Sequence, residues 1–510
     1  MKHSTVRLSV LCLCGLASLL AQGPGGGGSR GSTSGPIANQ LPLSGETGQT
    51  GAVSAVQSAI PGTTTSVNTL NTTIQVQGPY AGSSETSPLE PREVTLTLRD
   101  AIKLGLAANL GPEQLSNALR QARGQTQVAR SGLLPNISSE LQETVQKNSL
   151  VAFGLRLPGI PSVVGPFNYF DLRARLSQTI FDWTTLKNYR ASQDLERASE
   201  ALLADARDMV VFAVTGTYLQ TQAAASRVEA ARSQVQTAEA LLKQTQDRNE
   251  VGLSPRIDVN RSRVQMQTQR QRLTSLDNDL AKQKISLARM IGLPPGQPFE
   301  LTTEVPFSPA PDINVESGLH TAIGARADLL AAQIQVQAAE KVLSAARAER
   351  YPTLAFNADY GAIGIHPSRA NGTFLVSGSL RIPIWQGGRV AGDIAQASAA
   401  LIQRRAELED TRQRIEAEIR NALLDLEASG TQVKVALENS DVTRDTLKLA
   451  RERFDAGIAD AVELTQAQEQ VAVADQDYIT SLSAWNIAKV ALARALGRAE
   501  ENIAQFLGIP

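Results

Sequence analysis

The sequence Arg-Asn-Glu-Val-Gly-Leu-Ser-Pro-Arg-Ile-Asp spans residues 248–258, and Arg-Phe-Asp-Ala-Gly-Ile-Ala-Asp-Ala-Val-Glu spans residues 453–463. The glycine of each stretch, Gly252 or Gly457, interrupts a long run of helix-forming residues, and the two glycines lie 205 residues apart. A glycine after the last turn of a helix commonly adopts the left-handed conformation that ends it. The two stretches therefore predict two helical hairpins of the same kind, each with its tip at a glycine.

The helices that follow the two tips carry the same pattern of apolar residues. In both copies these residues recur every seven positions, as is typical of packing seams between helices. They are Val259, Met266, Leu273, Leu280 and Leu287 in the first copy and Leu464, Val471, Tyr478, Trp485 and Leu492 in the second. A duplication of this length predicts one architectural unit used in tandem.

The composition of the 510 residues favours long helices and argues against several classes of protein. Only 4% of the residues are aromatic, which suits Ala-, Gln- and Arg-rich helices better than one large globular core. The formal net charge is −1, so charge gives no indication of a nucleic-acid-binding surface. The sequence holds three histidines and no phosphate loop, nucleophile motif or metal-ligand cluster, so we expect no enzyme, no metal site and no cofactor.

The N-terminus has the features of a secretory signal peptide over residues 1–21. A charged start precedes an apolar run over residues 8–20, and cleavage is expected after Ala21. Both cysteines, Cys12 and Cys14, lie in this run, so the mature chain would have neither a disulfide nor a thiolate metal site. A lipid-bearing Cys14 is the alternative, although the residues before it are not the small residues that such a site prefers.

The remaining chain divides by composition and periodicity. Residues 22–92 are rich in Gly, Ser, Thr and Pro, and we expect them to form a disordered or loosely attached extension. A first structural repeat is expected over residues 93–292, a proline-rich linker over 293–317, a second repeat over 318–497 and a C-terminal tail over 498–510. Each repeat is expected to contain a helix, a pair of strands and a long helical hairpin.

The predicted helices are unusually long. The descending arms of the hairpins are predicted over about 185–250 and 388–455, and a single helix is predicted at the start of each repeat, over about 98–131 and 318–349. A helix of about 65 residues spans roughly 100 Å. No compact globular domain needs a helix of that length.

Three stretches alternate apolar and polar residues with the period of a β-strand, and residues 137–145 do so more weakly. Each stretch has about the length of a membrane-spanning strand, which is roughly 9–11 residues. The apolar positions are Phe170, Leu172, Ala174, Leu176 and Ile180, then Leu354, Phe356, Ala358 and Tyr360, and finally Phe374, Val376, Gly378, Leu380 and Ile382.

These strands have two interpretations. Composition alone favours an ordinary soluble sheet with one face on a core. The flanking helices, however, are long and thin and offer no broad apolar surface that could cover four strands. Four strands also cannot close on themselves, and a bilayer tolerates no open strand edge. If the strands lie in a membrane, several chains must therefore pool them.

The motifs at the junctions resemble those of the TolC-like outer-membrane efflux channels, over about residues 95–500. The sequence Leu-Thr-Leu-Arg-Asp-Ala-Ile at residues 96–102 resembles the start of the family's first helix, and Tyr-Pro-Thr-Leu at 351–354 resembles a helix-to-strand passage. The sequence Leu-Arg-Ile-Pro-Ile-Trp-Gln-Gly-Gly at 380–388 resembles a strand-to-helix passage. The two glycine tips resemble the family's hairpin tips. Residues 109–112, Asn-Leu-Gly-Pro, depart from the family's Asn-Pro pattern.

The resemblance implies a mainly α protein with a small transmembrane β part. Three chains would form a homotrimer in which each contributes four strands to a shared 12-stranded β-barrel in outer-membrane lipid. The long helical hairpins would form a periplasmic α-barrel. The implied function is the outer-membrane channel of a tripartite efflux or secretion system, with a periplasmic adaptor protein and an inner-membrane pump as partners. Leu172, Leu176, Phe356 and Val376 would face lipid, whereas Ser177 and Ser379 would face the lumen.

The resemblance also implies roles for residues near the tips. Asp258 and Glu463 match acidic positions near the constricted periplasmic mouth, where three copies would form carboxylate rings that attract cations. The alternative is structural, because Glu463 fits a capping box with Asp460 and Asp258 lies in a first helical turn, where an acid is favoured. The expected adaptor-docking residues of the tips are Arg248, Gly252, Leu253, Arg453, Gly457 and Ile458.

A different class of protein remains as the alternative function: a secreted, soluble coiled-coil scaffold or adhesin stalk. Long heptad-bearing helices are also typical of such proteins. The alternating strands, and the duplication that surrounds them, favour the membrane channel.

Overall fold

The computed structural model describes residues 51–60, 69–84, 88–89, 91–154, 158–252, 254–303, 305–497 and 499–508. The predicted signal peptide lies outside the described residues, as does Cys14. Within them, the chain is built from two copies of one unit, and each copy holds two short helices in line, two strands and a long helical hairpin.

The first unit follows a short strand and has its helices and strands in the predicted order. Strands β1, Val53–Ile60, and β2, Thr69–Val76, come first in the described chain, and the short strand is β3, Val94–Leu96. Two helices follow, α1 over Leu98–Ala108 and α2 over Leu110–Ser131, and then two strands, β4 over Asn136–Ser149 and β5 over Val163–Phe181. The hairpin consists of α3, Trp183–Glu250, and α4, Arg256–Ile291.

The second unit repeats this order after the linker. Strand β6 lies in the linker, helices α5 and α6 match α1 and α2 in length, and α7 and α8 form the second hairpin. The bounds are Phe299–Leu301 for β6, Val315–Ala325 for α5, Ala327–Ala348 for α6, Thr353–Gly364 for β7, Asn371–Arg381 for β8, Arg389–Asp455 for α7 and Ala461–Ala495 for α8.

Capping residues start the helices where the sequence indicates. Thr97 caps α1 by accepting a hydrogen bond from the backbone nitrogen of Asp100 at 3.1 Å, and its hydroxyl donates to the Asp100 carboxylate at 2.6 Å. Asp182 caps α3 by accepting from the backbone nitrogen of Thr184 at 2.8 Å. The 68-residue helix α3 thus begins immediately after β5 ends.

The first helix of each unit is broken in two, and the prediction of single helices over 98–131 and 318–349 is wrong in this respect. Asn109 and Arg326 have extended backbone conformations at the breaks. The Asn109 side chain accepts from the backbone nitrogen of Gly111 at 2.9 Å, which starts α2. Buried Arg326 instead pairs with Asp328 at 2.7 Å and with Glu418.

The four predicted strands form one antiparallel sheet with the order β4-β5-β7-β8. The register places Leu172 of β5 opposite Leu141 of β4 on one side and Ala362 of β7 on the other. Strands β4 and β8 are the two edges of this sheet. The sheet is therefore open at both sides within one chain.

The predicted helical seam is realised in the second hairpin. Helix α7 packs along α8, and the apolar residues Leu464, Trp485 and Leu492 of α8 are buried. The small residues between them are buried as well, so the two helices approach closely. These small residues are Ala467, Ala474, Ser481, Ala488 and Ala495.

A central core lies where the two units meet, at the middle of α3 and toward the C-terminal ends of α4 and α8. Strand β3 pairs in parallel with β6 of the linker at this level, and the linker residue Val305 is buried against the core. The core draws its apolar side chains from both units. Among them are Leu96, Val210, Val214, Tyr218, Leu287, Ile291, Phe299, Ile487 and Val490.

Part of the extension predicted to be disordered is ordered, which corrects the expectation for residues 22–92. Strands β1, Val53–Ile60, and β2, Thr69–Val76, form an antiparallel ribbon that packs against α3 and α8. Val53 and Ile74 are buried in the central core. Burial of these apolar side chains stabilises the folded ribbon. The composition of the segment alone did not indicate this contact.

The segment over 498–510, expected as a tail, contains helix α9, Ala499–Leu507. Ile503 and Leu507 are buried in the central core. The α9 backbone begins with a hydrogen bond from the nitrogen of Glu500 to the Asp208 carboxylate at 2.9 Å. The end of the described chain is thus fastened to the middle of α3.

Candidate functional site

One face of the four-stranded sheet carries large apolar side chains that remain exposed in the single chain. Leu172 is 43% exposed, Val376 60% and Phe374 76%. Leu141 of β4 and Leu380 of β8 are exposed on the same face. A soluble sheet would bury such a face against a core, so the exposed face marks an interaction surface.

The opposite face of the sheet is polar and is organised around Arg173. Arg173 lies opposite Gly361, which in turn lies opposite Thr373 on β8. Because glycine has no side chain, the guanidinium reaches along this row to Asp359 and to the hydroxyl of Thr373 at 3.5 Å. Asp171 pairs with the same guanidinium at 3.3 Å. This face carries compensated charge, as expected beside water.

Aromatic residues mark the ends of the exposed apolar face, a feature that the alternation within the strands did not indicate. Trp183 packs edge-to-face against Phe181, with ring centroids 5.6 Å apart, at the end of the sheet that joins the helices. Tyr351 and Trp385 lie at the same end, and Trp385 is 86% exposed. We name these four residues the inner aromatic band.

A second pair of aromatic residues lies farther along the strands. Tyr360 and Phe374 are directly opposite each other on β7 and β8, and both are largely exposed. From Tyr351, two residues before β7, to Tyr360 an extended chain rises by roughly 30 Å, which corresponds to about 23 Å across a membrane at the usual strand tilt. The distance matches the apolar band of roughly 25 Å that aromatic girdles enclose in membrane strands.

The first hairpin tip is a turn after α3. Gly252 has a φ of 77°, the left-handed conformation expected of it. Leu253, predicted to dock a partner, lies outside the described residues. Asp258 lies in the first turn of α4, where Ser254 donates a hydrogen bond to its carboxylate at 3.3 Å and Arg261 lies 3.5 Å away.

The second tip is a turn between α7 and α8 at Gly457, whose φ is 73°. Ile458 follows it and is 72% exposed. Asp460 caps α8 by accepting from the backbone nitrogen of Glu463 at 3.0 Å. The Glu463 side chain pairs with Arg453 at 3.1 Å. One of the two hydrogen bonds of a capping box is therefore present, the one that Asp460 accepts. The Glu463 carboxylate pairs with Arg453.

The two tips of one chain contact each other through Arg248. Its guanidinium donates to the backbone oxygen of Phe454 at 3.0 Å and lies 4.3 Å from the centre of the Phe454 ring. Asp455 is 3.7 Å from the same guanidinium and also accepts from Gln244 at 2.8 Å. Arg248 therefore joins α3 to α7, which the spacing of the sequence could not show.

The structure thus places the candidate residues on two neighbouring tips, and each acidic side chain has an arginine of its own hairpin as its partner. Arg248 and Arg453 have separate partners, the second tip and Glu463. Of the residues predicted to dock a partner, Gly252, Gly457 and Ile458 are exposed at the turns.

The described part of the chain holds no group of three or more His, Cys, Asp or Glu side chains that could bind a metal ion. None of its helices combines the length and the apolar character needed to cross a membrane.

Comparison with curated proteins finds outer-membrane proteins, one of which belongs to a toluene efflux pump. The chain is 24% identical over 421 residues to the toluene efflux pump outer membrane protein TtgF of Pseudomonas putida, covering 80% of this chain and 84% of the relative. It is 24% identical over 424 residues to the outer membrane protein OprJ of Pseudomonas aeruginosa, covering 79% and 84%.

Comparison with solved structures defines the class of fold. The outer membrane channel CmeC of Campylobacter jejuni aligns with a TM-score of 0.70 at 18% identity, over 80% of this chain and 88% of that one. The outer membrane protein VceC of Vibrio cholerae aligns with a TM-score of 0.67 at 19% identity, over 78% and 96%. The long hairpins and the small sheet thus have the fold of a TolC-like outer-membrane channel.

The family follows from the sequence. The Outer membrane efflux protein family matches residues 113–293 and 318–498, which cover most of the two structural units. The chain belongs to this family. It is an outer-membrane efflux channel with a long periplasmic helical part, as the sequence motifs predicted.

Proposed function

We propose that three copies of this chain form one export channel for small organic molecules. The observation that carries the proposal is the exposed apolar face of an open sheet that continues into long helical hairpins. Edge strand β8 of one copy would pair with edge strand β4 of the next, and three copies would close a 12-stranded barrel. The names of relatives such as the toluene efflux protein TtgF support a small-molecule substrate. Transport of this kind involves no catalysis by the chain.

The contact with lipid can be tested with the three tryptophans of the chain. Trp183 and Trp385 lie in the inner aromatic band, whereas Trp485 is buried among the helices and donates to the backbone oxygen of Ser308 at 3.0 Å. Three variants, each with one tryptophan and phenylalanine at the other two positions, would be placed in vesicles of brominated phospholipid. We expect quenching of the fluorescence of Trp183 and Trp385 and none of Trp485.

The same measurement separates the two classes of function. A soluble scaffold would leave all three tryptophans unquenched. Quenching of Trp485 alone would place the helices rather than the sheet in lipid and would contradict the proposal.

The hairpin tips are the proposed docking site for a periplasmic adaptor that connects the channel to an inner-membrane pump. The support is their exposure at the end of the long helices, with Val251 68% and Ile458 72% exposed. Exposed apolar side chains at a helical turn are suited to a protein partner. Changing Ile458 to Ser should weaken binding of the adaptor to purified channel, and an unchanged affinity would exclude this tip from the interface.

The acidic residues of the tips are proposed to set the charge of the periplasmic opening. Glu463 is 43% exposed in its pair with Arg453, and exposed pairs of this kind are weak. The carboxylate therefore stays accessible to cations in the opening. Asp258 is more enclosed, with 14% of its side chain exposed, and its contribution should be smaller.

Single-channel recording in planar bilayers tests this role. Glu463→Gln should reduce block by divalent cations and change conductance, and Asp258→Asn should do so less. Glu469→Gln, at an exposed acid farther along α8, is the matched control. Equal behaviour of Glu463→Gln and Glu469→Gln would leave Glu463 with a structural role alone.

A further inference from the structure

We propose that the N-terminal segment over residues 51–60 and 69–84, here called the N-terminal strap, holds the two helical hairpins at a fixed angle and so restrains the opening at their tips. This inference rests on the channel proposed above. It concerns a part of the chain that lies before both regions matched by the family.

The strap is anchored first at Gly216 of α3, where the Ile74 side chain packs against the helix. Gly216 is the only glycine among the 68 residues of α3, and a glycine in the interior of a helix is destabilising. A Cβ atom at this position would lie 2.3 Å from Cγ1 of Ile74. The glycine therefore makes room for Ile74, which is 8% exposed. The surfaces of α3 and of the strap are therefore complementary in shape at Gly216 and Ile74.

The second anchor is Tyr80, at the other end of the strap. Its ring fills the space over two further glycines, since a Cβ would lie 2.5 Å from it at Gly111 and 2.7 Å from it at Gly51. The side-chain nitrogen of Asn109 donates to the backbone oxygen of Tyr80 at 2.8 Å and contacts that of Met290 at 3.3 Å. Burial raises the pKa of Tyr80 to about 12, which keeps its hydroxyl neutral.

Backbone hydrogen bonds fasten this end to the break between α1 and α2. The nitrogen of Ser84 donates to the oxygen of Ala108 at 2.8 Å, and the nitrogen of Leu110 donates to the oxygen of Gly82 at 3.0 Å. The strap therefore binds at the helix break of the first unit, which the sequence did not predict. At the matching break of the second unit, Arg326 pairs with carboxylates instead.

The strap joins the two units as well as covering one of them. Strand β2 packs on α8 of the second hairpin and on α3 of the first. Val53 and Ile74 of the strap share the central core with Ile487 and Val490 of α8. A change in the angle between α3 and α8 would thus have to displace the strap from its groove.

A small rotation of the long helices at the strap produces a large displacement of their tips. Gly216 lies in the middle of α3, roughly 50 Å from the tip at the rise of an α-helix. Over that length, a rotation of about 0.1 radian moves the tip by about 5 Å. A fixed angle at the strap therefore restrains the width of the periplasmic opening.

Two glycine-to-alanine changes in helices give a matched test. Gly216→Ala collides with Ile74, whereas Gly124→Ala in α2 meets nothing within 4 Å. Both changes favour the helix, so both would raise the melting temperature if the strap contact were unimportant. We expect Gly216→Ala alone to expose the strap to limited proteolysis and to raise the mean single-channel conductance of the otherwise intact assembly.

Removing the collision should reverse the effect. In the double variant Gly216→Ala, Ile74→Ala, the added methyl group takes space that the isoleucine leaves, and both readouts should return toward those of the wild type. Ile74→Ala alone, which introduces no collision, should loosen the strap in the same direction and serves if Gly216→Ala does not assemble.

Two outcomes would overturn the inference. One is a Gly216→Ala protein that behaves like Gly124→Ala, with the strap protected and conductance unchanged. The other is a strap that becomes sensitive to protease while conductance stays that of the wild type. A wild-type protein without any conductance would instead overturn the proposed channel, so the two failures are distinguishable.

Discussion

At the second hairpin tip, two neighbouring acids have separable functions. Asp460 accepts the hydrogen bond that starts α8, and the Glu463 carboxylate pairs with Arg453. We expect Asp460→Ala to lower the free energy of unfolding by about 1 kcal/mol, the usual cost of losing a helix cap. Glu463→Gln should cost less than about 0.5 kcal/mol because the pair is exposed. Thermal unfolding of the two variants checks the difference, and equal losses would contradict the separation.

Lys489 gives the protein a predicted pH dependence. It is fully buried in α8 and donates to the hydroxyl of Ser308 at 2.7 Å. Burial of the ammonium lowers its pKa from 10.5 to about 8. Between these two values the unfolded chain binds more protons than the folded one, so stability should rise as pH increases from 8 to 10.5. At roughly 1.4 kcal/mol for each pKa unit, the gain should be on the order of 3 kcal/mol.

The variant Lys489→Met should remove this rise. Lys284, its counterpart in the first unit, is only partly buried and donates to the backbone oxygen of Phe299 at 2.8 Å, so Lys284→Met is the control. Melting temperatures of the detergent-solubilised proteins between pH 7 and pH 10 provide the comparison. A rise of the same size in Lys489→Met would show that another group titrates.

At the scale of the strands, adjacent residues on β8 should respond differently to charge. Val376 lies on the exposed apolar face and Ser377 on the polar face, at nearly the same depth. An arginine in place of Val376 should cost about 2–4 kcal/mol near the membrane midplane, and one in place of Ser377 should be tolerated. Urea unfolding of the two variants in vesicles measures this, and equal costs would contradict the assignment of the faces.

The elements differ in how far the sequence could predict them. The descending helices and the four strands follow from sustained periodicity, and the tip glycines follow from their position after a helix. The helix break at Asn109 could not be predicted in this way. Its periodicity is helical on both sides, and the break depends on contacts with Tyr80 and Met290, which are distant in sequence.

The N-terminal ribbon was missed for a related reason. Its polar composition resembles that of a disordered segment, and the ribbon is ordered only because Val53 and Ile74 reach a core built by other elements. The sequence did hold one signal, which is the single glycine in the interior of α3. A lone glycine in a long helix indicates that another part of the chain approaches closely at that point.

At the scale of the whole molecule, the two units share one plan but differ where each meets a terminus. The break in the first unit receives the N-terminal strap, and helix α9 packs into the core between the units. The resemblance in sequence identified the plan, including the channel fold that the comparisons confirm. It could not identify these additions, because they lie outside the matched regions.

Three copies of the chain are proposed to pool their strands and form one membrane channel. Native mass spectrometry of the protein, extracted from outer membranes in detergent, tests this proposal most directly. We expect an assembly of three times the mass of the mature chain, which separates into single chains only on heating. A monomer that remains in solution without detergent would contradict it.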